Sequence, residues 1–361
     1  MSLNLIIERE IKKFAKSKLN ESNTYGFPEG KVDSGKVVTG GEGGNWGGSM
    51  DRALSVLDIA RDCKGSDNVV SSQKRTRVKT ASGNVSDHYV GNLSAYAVDI
   101  PASGKSGDGV TISISGQTAS GVPVDNSNLA VKAAALMIKK YQLPSDLSIK
   151  LKKEIPVAGG MAGGSADAAG VIVGLDSLYE LGLSRDEMEL LGSELGADVP
   201  FSICGGVAIG TGRGDQITPA LAKGSYNWVL ALSGQGLATQ SVYKECDRLR
   251  EGLSIATPSV SEPLMQALRA ADAKALGKSL INDLQAAACS LRPALRLVLD
   301  VGNDYGALGG VISGSGPTVA FLVSDDEHAM DLTVALSGSG VVSSVVRATG
   351  AVAGARIVES F

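Results

Sequence analysis

The sequence predicts an α+β fold in two lobes, with an N-terminal lobe that is atypical or incomplete. Three observations predict it. Strand-like and helical runs interleave beyond residue 110, without the even βαβ spacing of a doubly wound sheet. A joint of Gly, Ser and Pro, PASGKSGDG at 101–109, separates this regular texture from a polar, loosely patterned first part. Charge divides at the same place: residues 1–105 carry a formal +3 and the rest −7, for a total of −4 over 361 residues. The expected units are an atypical segment at 1–107, a first lobe at 108–222 and a C-terminal α+β lobe at 223–361.

Residues 1–50 open on a short amphipathic helical pattern and run into GFPEGKVDSGKVVTGGEGGNWGG, which reads as linker because it is glycine-rich and aperiodic. A helix is expected at 49–62, with Ser49 as cap and Met50, Leu54, Leu57 and Ile59 as its apolar face. Residues 68–100 offer short strand-like pieces ending in SAYAVDI. GVTISISG at 109–116 alternates as a strand, and NSNLAVKAAALMIKKYQL at 126–143 is helical, with Asn126 or Ser127 as cap. DLSIKLKKEIP alternates as a second strand and enters a glycine loop, after which a helix runs to about 181. A helix at 184–195, capped by Ser184, leads into GADVPFSICGG. From about 225 come the strand NWVLAL, several helices, a strand–turn–strand unit at 308–324 and a closing helix–strand pair.

Composition narrows the function classes. At 43% apolar and 20% charged, the chain has the makings of a large core. Aromatics make up 4% and the charge is slightly acidic, which argues against a nucleic-acid partner. The opening MSLNLIIEREIKKFAKSK matches neither a signal peptide nor a membrane span, so no membrane partner and a cytoplasmic location are expected. Cys63, Cys204, Cys246 and Cys289 have no disulfide or metal spacing and are expected to be reduced thiols.

The stretch IPVAGGMAGGSADAAG, residues 155–170, carries the most chemistry. Successive residues without Cβ let a backbone wrap an anion, and a helix starting directly afterwards adds free N–H groups and the positive end of its dipole. A tight strand-to-helix turn is the alternative. The spacing is neither GxxxxGK[ST] nor GxGxxG, which disfavours a P-loop and a dinucleotide-binding domain. Ser165 is either a helix cap or a ligand to phosphate or Mg²⁺. Asp198, between Ala197 and Val199-Pro200-Phe201, is either another cap or a carboxylate kept in an apolar setting for use. Ser313-Gly314-Ser315-Gly316-Pro317 reads as a hairpin turn, and Asn282-Asp283-Leu284 as a cap.

The pattern P-x-A-G-G-M-A-G-G-S-A-D-A-A, with LGADVPFSICGGVAIGTGRGD at 195–215 and GGVISGSGPTVAFL at 309–322, resembles the GHMP small-molecule kinases over roughly residues 108–358. That resemblance implies a two-lobed fold with a nucleotide-binding first lobe. It also implies a small-molecule substrate, ATP and Mg²⁺. The branch it resembles phosphorylates a hydroxyl of a cytidylated methylerythritol in non-mevalonate isoprenoid synthesis. Carried over residue by residue, Pro156, Val157, Ala158, Gly159, Gly160, Met161, Ala162, Gly163, Gly164, Ser165 and Ala166 lie over the triphosphate, with Ser165 also toward Mg²⁺. Asp198 is the catalytic carboxylate, addressing the substrate hydroxyl as it attacks the γ-phosphoryl group. Gly314, Ser315, Gly316, Thr211 and Arg213 fall on the substrate or phosphate side.

The family's N-terminal signature, a lysine in A-K-x-N-L followed by D-G-Y-H, has no counterpart among these 361 residues. Impaired turnover is therefore expected, with a non-catalytic nucleotide-binding remnant as the alternative. Loss of that segment also leaves sheet edges open unless residues 1–107 fill them. Residues 44–105, with SSQKRTRVKTASGNVSDHY, are similar to part of the D-alanyl-D-alanine-type zinc peptidases. This second resemblance implies His88, within Ser86-Asp87-His88, and Asp99 as zinc ligands. His328 is the only other histidine, and a solvated helix start is its plainer reading.

Overall fold

Two sheets organise the molecule, and the strand β3 (Val110–Ser115) alternates half-buried and exposed residues as its sequence requires. The computed structural model describes residues 75–79, 97–101, 109–116, 119–153, 155, 157, 159–255 and 259–360. The helix expected at 49–62 lies outside them.

The first sheet contains β1 (Arg75–Lys79), β2 (Ala97–Pro101), β3, β4 (Leu147–Lys152) and β11 (Arg356–Ser360), in the order β11-β1-β2-β4-β3. β3 and β4 run parallel from Val110↔Leu147 to Ser115↔Lys152, and the other pairings are antiparallel. Parallel neighbours need a crossover. Helix α1 (Leu129–Tyr141) supplies it, turning Ala130, Ala133, Ala134 and Met137 inward. Its cap is Asn128, one or two residues later than the sequence predicts. The reason is local: Asp125 Oδ1 already accepts from Ser127 N and Oγ at 2.8 and 2.6 Å, closing a turn ahead of the helix. Asn128 Oδ1 then accepts from Ala130 N at 2.9 Å.

Two strands from the atypical first part, β1 and β2, occupy inner positions of this sheet. Residues 75–79 and 97–101 thus close the gap expected from the missing N-terminal segment. The last strand also departs from the expected division at 222/223: β11 leaves the second lobe and pairs with β1, from Thr76↔Ser360 to Lys79↔Arg356.

Helix α2 (Gly163–Tyr179) is buried along most of its length, packing on α1 and on the first sheet. Small residues such as Ala166, Ala168, Ala169 and Gly170 allow that close approach. Helix α3 (Arg185–Leu195) starts at Ser184 as expected. Ser184 and Glu187 form a capping box. A six-residue helix, α4 (Val199–Cys204), and the hairpin β5 (Ala208–Thr211) and β6 (Gln216–Pro219) follow.

The second sheet is antiparallel, in the order β10-β7-β9-β8, from β7 (Tyr226–Leu232), β8 (Gly309–Ile312), β9 (Val319–Val323) and β10 (Ser344–Gly350). Alternate residues of β7 and β9 feed two different cores. Trp228, Leu230, Ala320 and Leu322 join the large core around α2, while Val229, Ala231, Val319 and Phe321 pack with the helices of the second lobe. Those helices are α5 (Thr239–Arg250), α6 (Glu262–Ala270), α7 (Ala273–Lys278), α8 (Gln285–Leu291), α9 (Ala294–Asp304) and α10 (Asp326–Ser339). A sheet buried on both faces explains why NWVLAL reads as a nearly continuous apolar run. No helix among the described residues is long and apolar enough to cross a membrane.

Candidate functional site

The glycine loop connects β4 to α2, and its backbone is committed to positive φ at two places, +74° at Gly160 and +51° at Ala162. Ala162 is the N-cap of α2 and has no side chain able to cap, so the N-cap position leaves the first N–H groups of the helix unspent. A helix start without a cap at its N-cap, behind a bare loop, is an arrangement able to hold an anion. Ser165 is buried and is the third helical residue, the N-cap being Ala162, so its reading as the cap is excluded. Met161 and Gly159 are buried beneath the loop and Val157 is exposed above it; Pro156 and Ala158 lie outside the described residues.

The turn 313–317 is folded onto this loop. Ser313 Oγ donates to Gly160 O at 2.9 Å. A Cβ on Gly160 would meet Ser313 O, Gly316 O at 2.7 Å and Gly316 N at 2.9 Å, so only glycine permits the approach. The turn is itself held from the other side. Asn282 Nδ2 donates to Ile312 O at 2.6 Å and to Gly314 O at 2.7 Å, while its Oδ1 accepts from Leu284 N at 2.8 Å. Ser315 Oγ lies 2.9 Å from Thr239 Oγ1. Asn282 therefore does cap its own turn, as its sequence suggests, and in addition latches the 313–317 turn, which its sequence does not reveal.

Asp198 occupies the N-cap position of α4, yet its side chain makes no capping hydrogen bond. Capping thus does not account for it. Asp198 lines a recess together with Ala162, Phe201, Ala208, Gly210, Gly214 and Ile217. Asp198 and the start of α2 share one hollow. Thr211 and Arg213 belong to the tip of the β5–β6 hairpin that walls it. Arg213 is turned onto Asp215, Nη2 to Oδ2 at 2.6 Å, with 73% of its side chain exposed. Thr211 Oγ1 reaches Gln216 O and Oε1, each at 3.4 Å. Neither side chain lines the recess; the neighbouring Gly210 and Gly214 do.

A buried ion pair lies under the loop. Lys153, just past the end of β4, donates from Nζ to Asp167 Oδ2 of α2 at 2.7 Å, with 4% and 2% of the two side chains exposed. Burial pushes the Asp167 carboxyl up to about 6, against the pull of the Lys153 ammonium. Asp167 Oδ1 has no hydrogen-bond partner among the described residues. Sequence reasoning missed both residues, because a lysine ending a strand and an aspartate inside an alanine-rich helix carry no pairing signal.

Among the described residues no group of three or more His, Cys, Asp and Glu side chains is arranged to hold a metal. His88 lies outside the described residues. Asp99 sits in β2, in register with Arg77 on one side and Lys150 on the other. His328 is in the first turn of α10, where Asp325 caps its N–H at 2.9 Å and Ser324 Oγ lies 3.1 Å from its Nδ1.

Residues 128–206 match the GHMP kinases N terminal domain, and residues 264–341 match the GHMP kinases C terminal domain. A 4-diphosphocytidyl-2-C-methyl-D-erythritol kinase of Leifsonia xyli subsp. xyli is 47% identical over 259 residues, covering 70% of this chain and 84% of the relative. Its counterpart from Nocardia farcinica is 47% identical over 252 residues, covering 69% and 81%. In fold, the chain is similar to a homoserine kinase from Cytophaga hutchinsonii at a TM-score of 0.62 and 17% identity, covering 81% of this chain and all of that one. The glycine loop and Asp198 fall within the matched residues 128–206, and the 313–317 turn within 264–341. The chain belongs to the GHMP kinase family of small-molecule kinases, on the branch of the 4-diphosphocytidyl-2-C-methyl-D-erythritol kinases.

Proposed function

We propose that this protein transfers the γ-phosphoryl group of ATP to a hydroxyl of 4-diphosphocytidyl-2-C-methyl-D-erythritol, the substrate its relatives are named for. The observation that carries the reading is the recess in which Asp198 faces the uncapped start of α2. Phosphoryl transfer asks mainly for positioning and for stabilisation of charge. Residues 156–166 supply both, by wrapping the phosphates with bare backbone and directing the α2 dipole at them. Asp198 orients the acceptor hydroxyl and accepts its proton as the oxygen attacks. Gly314, Ser315 and Gly316 close the phosphate side through the contact with Gly160. Thr211 and Arg213 stand at the substrate side, where Arg213 would exchange Asp215 for a ligand phosphate.

The absence of an acidic cage among the described residues fits a magnesium ion held chiefly by the phosphates and water, with Ser165 Oγ as the protein oxygen. Such an ion neutralises charge on the β- and γ-phosphate oxygens when bound. A cytoplasmic location, where ATP is at hand, fits this reading.

The test is a calorimetric titration with ATP·Mg²⁺, followed by an assay for ADP release on addition of the cytidylated methylerythritol. Substrate-dependent ADP release, falling by about 10²–10⁴ in Asp198→Asn with ATP binding intact, is the expected result. Binding without turnover in the unaltered protein would make it a nucleotide-binding remnant. Turnover unchanged in the Asp198 variant would remove that residue from the chemistry.

A further inference from the structure

The glycine loop has two attachments that its own sequence does not supply. One is the 313–317 turn, already described. The other is Lys153–Asp167, which ties the residue leaving β4 to the first turns of α2 and so spans the loop at its base. The pair sits directly below the helix start: a Cβ on Gly163 would stand 3.3 Å from Lys153 Nζ. Asp167 has no other hydrogen-bond partner among the described residues, since Oδ1 is unmatched. Its orientation is therefore set by the lysine.

A buried ion pair is seldom explained by stability. Desolvation of two charges offsets most of their attraction, and well-packed apolar replacements often do as well. Geometry is the better account here. A carboxylate left unpaired near the start of α2 would repel any anion bound there and offset the attraction of the helix dipole for it. Lys153 neutralises that carboxylate and fixes the distance between the two ends of the loop. The loop is thereby held in one shape before any ligand arrives, which lowers the ordering cost of binding.

We infer that Lys153 and Asp167 act as a positioning pair that presets the glycine loop for the phosphates of a nucleotide, without touching the reacting atoms. This rests on the reading of that loop as the ATP site. The pair governs nucleotide affinity more than the chemical step, because the tether acts equally before and during transfer.

The experiment compares the full chain with Asp167→Asn, Asp167→Ala and the double variant Lys153→Met/Asp167→Ala, using ATP·Mg²⁺ as probe. Asp167→Asn keeps the acceptor and the shape, Asp167→Ala cuts the tether, and the double variant cuts it without leaving a buried charge. Hydrogen exchange is followed at residues 159–165 and, as an internal reference, at residues 171–178 of α2. Cutting the tether is expected to raise the KM and Kd for ATP about tenfold or more, with kcat within about threefold. Exchange should quicken in the loop alone, Asp167→Asn should retain most of the affinity, and the double variant should resemble Asp167→Ala. A double variant that binds ATP like the unaltered protein would overturn the inference, as would loss of stability throughout α2 with unchanged ATP affinity. Failure of the unaltered protein to bind ATP would instead sink the reading of the loop as a nucleotide site, and that result is read first.

Discussion

Replacing Gly160 by alanine tests whether the contact between the glycine loop and the 313–317 turn serves the reaction or only the fold. Two costs are separable. Gly160 has φ +74°, a left-handed conformation that costs a residue with a Cβ about 1–2 kcal/mol. Gly182, at φ +68° with nothing within 4 Å of its would-be Cβ, carries the first cost and no other. At Gly160 the new carbon would also stand 2.7 Å from Gly316 O and 2.9 Å from Gly316 N, against ordinary contact at 3.4–4 Å. The obstacles are backbone atoms, which have no rotamer to yield, so the loop must retreat by several tenths of an ångström to about 1 Å. A displacement of that order at a positioning element costs about 10²-fold in rate. Both variants are expected to lose about 2–4 °C in Tm per kcal/mol of strain, while kcat/KM falls about 10²-fold in Gly160→Ala alone. Thermal denaturation and coupled ADP-release kinetics on the two proteins decide it. Equal kcat/KM in the two variants would refute the argument that the loop and turn must touch for turnover.

Asn282→Ala removes both hydrogen bonds that latch the turn and the cap on Leu284; a loss of about 1–3 kcal/mol in urea denaturation is expected, with weakened ATP binding. Stability should also depend on pH through Asp167. Its carboxyl titrates near 3.8 in the unfolded chain and about 6 in the folded one, so the folded state holds the extra proton between those values. That contribution is fully present below about pH 4 and is lost as pH rises through about 6. Denaturation of the unaltered protein and Asp167→Asn at pH 4.5 and 6.5 should therefore show a steeper fall in the former, and parallel behaviour would contradict the raised value. Finally, with the family's A-K-x-N-L lysine absent from these 361 residues, kcat should lie about 10²–10³-fold below that of a relative assayed alongside.

What was legible in the sequence was whatever short-range physics decides. Ser184 could be named as a cap because the residue completing its capping box, Glu187, is three positions away. Asn128 was misplaced by one or two residues because Asp125 claims the preceding N–H and hydroxyl, a competition among several polar side chains that composition does not rank. The glycine loop and the 313–317 turn were each recognisable, but not that Ser313 reaches Gly160 across 153 positions of chain. Lys153 and Asp167 escaped for the same reason, as did the second duty of Asn282 toward carbonyls 30 and 32 residues away. Distance along the chain hides partners even where each residue type is plain.

The N-terminal strands show why fold and chemistry part company in this protein. A place inside a sheet asks a segment for backbone donors and acceptors at the right spacing, and many sequences meet that demand. Residues 75–79 and 97–101 meet it, pairing from Arg75↔Pro101 to Lys79↔Ala97 and joining β4 at Val98↔Leu151 and Asp99↔Lys150. Polarising a hydroxyl asks for a particular ammonium or imidazole at one point, and few sequences provide it. Segments of this kind can therefore complete the first sheet, and with it the platform under α2 and the glycine loop, whatever side chains they carry. On the proposed reading, nucleotide binding draws on the glycine loop, the start of α2 and the 313–317 turn, which lie together in the structure. Transfer depends additionally on what stands opposite Asp198. The two activities should accordingly separate in this chain more widely than in its relatives, with ATP affinity near theirs and turnover well below.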